Sequence, residues 1–272
     1  MKDRCEFAIR LARAMGDFTL QYFDRDIDVE RKQDGTPVTA ADRGAEELGR
    51  KLVEESFPDD AILGEEHDDK PGTSGWQWIF DPIDGTKSFI HGVPIYSNLV
   101  GVQRLDSDGK ARPEIGVIWI PALGRGVWGG VGAGAWEIFN DEAKTRPARV
   151  SKVDKLEDAL FLTTDRRDFD QVGREGAYDE LENKCRLTRT WGDAYGYYLV
   201  ATGRAEIMID PFFEIWDASP MLTIFREAGG AFCSWNGDET IEGGDGMATN
   251  LALRDEVVSI LKRYPKTKAP QS

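Results

Sequence analysis

Residues 78–89 read Trp-Ile-Phe-Asp-Pro-Ile-Asp-Gly-Thr-Lys-Ser-Phe. An apolar run ends in two aspartates, Asp81 and Asp84, and a glycine follows them. The pattern predicts a strand ending at Asp81, a turn at Pro82 and a helix opening with Gly85, Thr86 and Lys87. Pro82 fixes one backbone dihedral and Gly85 permits a tight bend, so the two carboxylates can converge on one point. Converging carboxylates repel, and unpaired they cost stability or take up a proton. A hard divalent cation removes that conflict; Mg2+ takes oxygen ligands and keeps waters and phosphate oxygens around it. Free N–H groups at the helix start would form an anion site alongside. An isolated Asp-x-x-Asp-Gly also fits a surface turn with Asp81 as a helix cap, so the rest of the chain has to decide.

Other carboxylates stand in similar settings. Glu65 and Glu66 end the run Ala-Ile-Leu-Gly, Asp217 follows Ile215-Trp216 and opens a helix, and Asp42 comes just after Val-Thr-Ala-Ala. Each alone reads as a cap or a solvated charge, Asp217 as a helix N-cap above all. Together they repeat one theme, a carboxylate closing an apolar run, which is where strand ends gather in α/β folds.

The chain of 272 residues can form one large domain or two coupled small ones, with a substantial core. It carries 34 Lys and Arg against 49 Asp and Glu, a formal net charge of -15. That balance argues against nucleic acid or an anionic membrane as partner and suits cations, although acidity also serves solubility. Three scattered cysteines, Cys5, Cys185 and Cys233, make neither a disulfide framework nor a zinc site. Two histidines, His67 and His91, cannot build a His-rich metal centre. Charges run through the N-terminal segment, so it is not a signal peptide, and no stretch is apolar enough to span a bilayer. The expectation is a cytoplasmic protein.

Apolar residues at Cys5, Ala8, Ile9, Ala12, Met15, Phe18 and Tyr22 have helical spacing. After a polar segment containing Gly35 and Pro37, a second helix is expected from Ala41 to Phe57, ending at Pro58. Strand-like runs then follow one another through residue 139 as an antiparallel meander. Within it, Gly124-Arg-Gly126-Val-Trp-Gly129 matches the dinucleotide fingerprint letter for letter. Strand-like sequence flanks it on both sides, however, so it reads as a glycine-rich hairpin. Beyond about residue 155 strands and helices alternate: a strand at 159–164, a helix near 193–203, a strand at 205–210, a helix from Asp217 to Gly229, a strand at 231–235 and a last helix before a polar tail. Two halves are expected, 1–150 with the antiparallel sheet and most of the candidate metal ligands, and 151–272 with Asp217 and the specificity residues.

Asp81-Pro82-Ile83-Asp84-Gly85-Thr86 followed by Phe89, and Trp216-Asp217-Ala218 with Ala228-Gly229-Gly230 after it, resemble the two signatures of the inositol monophosphatase family of metal-dependent phosphatases. Gly64-Glu65-Glu66 and Thr39-Ala-Ala-Asp42 match two further family positions, and all four occur in family order across nearly the whole chain. The resemblance implies a layered αβαβα sandwich, α+β in character, and commonly a homodimer. It implies two or three Mg2+ ions held by Glu65, Asp81, Asp84, Asp217 and the Ile83 carbonyl. Phosphate would lie on the Gly85 and Thr86 backbone. Asp42 and Thr86 match the pair that orients the attacking water, and Glu66 is the remaining acidic position of the catalytic set. Metal charge would neutralise the phosphate oxygens, activate the water and stabilise the leaving alkoxide.

The segment Arg189-Thr-Trp-Gly-Asp193-Ala-Tyr-Gly-Tyr197 resembles the histidinol-phosphatase branch of that family, with Ala194 where the branch often has Cys. On that reading Asp193, Asp210 and Glu214 pair with the cationic end of a small phosphate ester. Asp193 could instead cap the helix beginning near Ala194, and Asp210 could serve a turn with Pro211. The other readings are an inositol-1-monophosphatase or broad sugar and polyol phosphatase, a nucleotide 3′-phosphatase, and a non-catalytic relative. The acidic residues at 193, 210 and 214 disfavour the nucleotide phosphatase, and the full ligand set disfavours the non-catalytic relative.

Overall fold

The computed structural model describes residues 2–32, 35, 37–106 and 110–268; the end of the polar tail, 269–272, lies outside the described residues. Helix α1 (Lys2–Thr19) leads into a small hairpin, β1 (Val29–Arg31) and β2 (Pro37–Thr39), and then α2 (Ala40–Ser56). Strands β3 (Ala61–Gly64) and β4 (Trp76–Asp84), the short α3 (Thr86–Ile90), and strands β5 (Ser97–Leu105), β6 (Ala111–Ile120), β7 (Arg125–Gly130), β8 (Gly134–Phe139) and β9 (Thr145–Pro147) follow. Next come β10 (Leu160–Leu162), α4 (Arg166–Gln171), α5 (Glu175–Lys184), β11 (Leu187–Arg189), α6 (Ala194–Ala201) and β12 (Ile207–Asp210). The chain continues through α7 (Ile215–Ala218), α8 (Met221–Ala228), β13 (Gly230–Cys233), β14 (Gly246–Asn250) and α9 (Leu251–Leu261).

Strands β3 to β9 form one seven-stranded sheet in sequence order, antiparallel except for the β3–β4 pair. The second sheet has the order β11-β10-β12-β14-β13, parallel over its first three strands. Alternation along each strand divides the side chains between layers. Trp78 and Phe80 pack with Leu11, Met15, Ala45 and Val53 of α1 and α2. Ile79, between them, faces the other way, into a core shared with Tyr197, Ile224 and Phe225 of α6 and α8 and with Met208 and Phe232 of the second sheet. Ile207 and Ile209 point beyond that sheet toward Phe169, Leu181 and Val257. The result is the five-layer αβαβα sandwich. The glycine-rich segment at 124–134 leads into and forms the β7–β8 hairpin, as its flanking strands implied.

Two expectations need correction. Strand β4 does not stop at Asp81 but runs to Asp84, and the turn comes at Gly85 (φ 83°). Pairing places Asp81 opposite Leu99 and Asp84 opposite Ser97, so one extra residue bulges out of β4. Pro82 has no N–H for the ladder; its carbonyl accepts from the Asn98 side chain, and the Ile83 N–H turns to Asp81 Oδ1 at 2.9 Å. The helix expected from Asp217 to Gly229 is two helices, broken at Ser219-Pro220, and the first begins at Ile215, ahead of Asp217. Strand β3 ends at Gly64 and Glu65 and Glu66 lie on the loop beyond it, as the sequence implied.

Candidate metal centre and active-site cleft

A cleft of about 630 Å³ opens where β4, α3, α7 and the start of α6 meet. The bulge in β4 aims Asp81 and Asp84 into it, and α7 brings Asp217 from the other side. One carboxylate oxygen from each of the three lies within 4.8 Å of the others. The local sequence fixes each one. Asp84 Oδ2 accepts from Ser97 Oγ at 2.8 Å and from the Ala194 N–H at 2.7 Å, so it caps the first residue of α6. Asp217 is the third helical residue of α7, its Oδ2 accepting the Glu214 N–H at 3.0 Å in a capping box.

Burial and mutual repulsion push the carboxyls of Asp81, Asp84 and Asp217 up from their ordinary range. Among the described residues, one or two donors reach each of these carboxylates, far fewer than its lone pairs can accept. Oxygen donors, three charges and little solvent fit a hard divalent cation. Lys32 marks the same preference: its ammonium lies 2.6 Å from both Glu65 and Glu66. Burial alone would lower the Lys32 pKa, but those two carboxylates more than reverse it. Glu65 lines the cleft beside Asp81. The Ile83 residue also lines it, and its carbonyl accepts from Thr86 Oγ1 at 3.1 Å.

Thr86 Oγ1 stands 3.4 Å from Asp42 Oδ1. Asp42 is 1 % exposed and meets the cleft through Thr86, which lines it. Its other oxygen accepts the Thr39 N–H at 2.7 Å and the Thr39 hydroxyl at 2.6 Å, while Thr39 Oγ1 caps the Ala41 N–H. Burial raises the Asp42 pKa although the Thr39 bonds oppose it.

Of the remaining sequence candidates, Asp193 and Glu214 line the main cleft, and Asp193 also borders the recess that holds Asp210. Asp193 lines the cleft with a left-handed backbone (φ 51°), uncommon for any residue but glycine. It occupies the N-cap position of α6 yet makes no side-chain cap bond. Its N–H is anchored on Thr164 Oγ1 at 2.9 Å, and its carboxylate lies against Gly85, where a Cβ would come within 2.6 Å of Oδ2. Asp210 sits in an adjoining recess of about 100 Å³ with Asp168, Phe212 and Phe213. Its carboxylate accepts from the Thr164 N–H at 3.0 Å and Thr163 Oγ1 at 3.4 Å, and burial pushes it up to about 7. Glu214 is exposed at the N-terminus of α7 and lines the main cleft. Glu65 and Glu66 are both paired with Lys32, and neither belongs to the Asp81–Asp84–Asp217 group.

Sequence reasoning missed Lys32, Thr164, Asp165 and Asp168. Lys32 stands in a polar segment with no periodicity to single it out. Thr164-Asp165 follows the apolar run Leu160-Phe161-Leu162, so the rule of a carboxylate closing an apolar run could have found it.

Comparison with known proteins gives a consistent result. The model of the family described as the inositol monophosphatase family matches residues 1–266. A histidinol-phosphatase from Chlorobaculum parvum is 38% identical over 258 residues, covering 94% of this chain and 95% of that protein. One from Mycobacterium tuberculosis is 35% identical, covering 95% of this chain and 98% of that protein. Among solved structures, an IMPase from Thermotoga maritima superposes with a TM-score of 0.82 at 28% identity, covering 96% of this chain and 98% of the other.

Proposed function

The chain belongs to the inositol monophosphatase family and is a phosphoric monoester hydrolase, and within that family we propose that it is a Mg2+-dependent histidinol-phosphatase, converting L-histidinol phosphate and water to L-histidinol and phosphate in histidine biosynthesis. The observation that carries the metal dependence is the meeting of Asp81, Asp84 and Asp217 within 4.8 Å in a buried, donor-poor cleft. Glu65 and the Ile83 carbonyl complete the ligand set in this reading. Bound there, the ions would supply positive charge against the phosphate oxygens and make water more acidic.

The chain's own groups do the rest. Gly85 and Thr86 present backbone N–H groups at the start of α3 to a phosphate oxygen. The Thr86 hydroxyl has Asp42 and the Ile83 carbonyl as acceptors for its one proton, which leaves its lone pairs to hold a water. Asp42, buried and held by Thr39, fixes the direction of that hydroxyl. Asp193, Asp210 and Glu214 supply negative charge toward the substrate's ammonium and imidazole. The histidinol-phosphatases at 35–38% identity support this choice of substrate. One observation favours the alternative, an inositol-1-monophosphatase or broad polyol phosphatase: Asp210 is already engaged by Thr163 and Thr164. Phosphate release from L-histidinol phosphate, followed after EDTA treatment and again after Mg2+ is restored, tests the proposal. Activity lost and regained supports it; activity indifferent to EDTA overturns it.

A further inference from the structure

Glu46 is wholly buried, at 0 % exposure, one helical turn beyond Asp42 on α2. The mechanism above leaves it without a role. Its Oε1 lies 2.7 Å from Arg50 Nε and 3.3 Å from His67 Nδ1. Its Oε2 accepts the backbone N–H of Glu66 at 2.7 Å. Arg50 in turn donates to the carbonyls of His67 and Asp68, at 3.0 and 2.9 Å. The pair thus grips the loop 65–68 at three backbone atoms. The contact is tight: a Cβ on Gly64 would fall 2.2 Å from Glu46 Oε1, so only glycine lets the carboxylate lie against the end of β3.

A buried ion pair is weak evidence for stability, because desolvation offsets most of its attraction. What this pair does determine is where the loop runs, and the loop carries Glu65 into the cleft. We infer that Glu46, with Arg50, is a positioning residue that sets the affinity of the cleft for a divalent cation by holding the Glu65–Glu66 backbone. The inference rests on Glu65 serving as a cation ligand. Helix α2 then organises the site twice from one face: Asp42 directs Thr86, and Glu46, four residues on, directs Glu65.

The test is a calorimetric titration of the metal-free full-length protein with Mn2+ and with Mg2+, on wild type, E46Q and E65Q, beside the melting temperature of each metal-free protein. Loss of a partner behind a metal ligand typically weakens binding by about 10–100-fold, and the same loss is expected for E46Q. A purely structural role would lower the melting point and the number of competent molecules at unchanged Kd, and that result overturns the inference. If E46Q does not fold, E46Q/R50M, which removes both charges together, carries the same titration. Wild-type protein that binds no cation, or E65Q that binds as wild type does, removes the ligand reading and this inference with it. Wild type and E65Q behaving as expected while E46Q binds like wild type removes this inference alone.

Discussion

Asp217 belongs to two arrangements at once. It completes the capping box of α7 and places an oxygen near Asp81 and Asp84. Asn in its place can still accept the Glu214 N–H but brings no charge to the cleft. D217N should therefore fold, and should lose roughly a thousandfold or more in kcat/KM, about 4 kcal/mol of transition-state stabilisation. Phosphate-release assays and circular dichroism together check this; wild-type turnover by D217N at ordinary Mg2+ would remove it from the ligand set. Asp193 is the specificity counterpart. Its strained backbone is held by the Thr164 hydroxyl rather than by any cap bond of its own, so its carboxylate is not consumed by α6. D193N is expected to reduce the preference for L-histidinol phosphate over inositol 1-phosphate by about tenfold, roughly 1.4 kcal/mol, while the metal requirement stays. An unchanged ratio of kcat/KM values would show that the pocket does not read charge at this position.

Helices and strands were legible where burial imposes a period. The helical spacing of α1 and the alternating or apolar runs of β4 to β8 announced themselves because one or both faces meet a core. The hairpin β1–β2 escaped, since all three residues of β1 are exposed and carry no alternation. Strand β14 escaped for the opposite reason: Gly246–Asn250 is buried throughout yet built largely of small and polar residues. The bulge in β4 was misread as the strand's end because proline signals a break, whereas here the neighbouring Asn98 and Asp81 side chains take up the displaced backbone groups. The carboxylates closing apolar runs could be picked out from sequence; the Lys32 contact could not, because it depends on a hairpin with no pattern of its own. The N-terminus of α2 offers a test at this level. Thr39 caps the helix and holds Asp42, so T39A should cost about 1 kcal/mol and a few degrees in melting temperature. It should also lower kcat more than it changes KM, and T39S should restore both. An equal loss in T39S would mean that the hydroxyl is not what matters.

Over the full chain, the acidic cleft sets opposing demands on stability and activity. Asp81, Asp84, Asp210 and Asp217 bind protons more tightly in the folded protein than in the unfolded chain. Their contribution is therefore present at low pH and is lost as pH rises from the ordinary carboxylate range through about 7, the value for Asp210. The metal-free protein should melt at a lower temperature at pH 8 than at pH 5.5, and saturating Mg2+ should raise the melting temperature more at pH 8. A cation-induced rise that is equal at both pH values would mean that these carboxylates are not the binding site. The central claim joins that cation site to a particular ester, and substrate selectivity tests it most directly. The measurement is kcat/KM for phosphate release with Mg2+ from L-histidinol phosphate, inositol 1-phosphate, fructose 1,6-bisphosphate and adenosine 3′,5′-bisphosphate. The prediction is a preference of about a hundredfold or more for L-histidinol phosphate, roughly 2.7 kcal/mol of discrimination. Equal or faster turnover of inositol 1-phosphate would contradict it, leaving the metal chemistry in place and reducing Asp193, Asp210 and Glu214 to structural carboxylates.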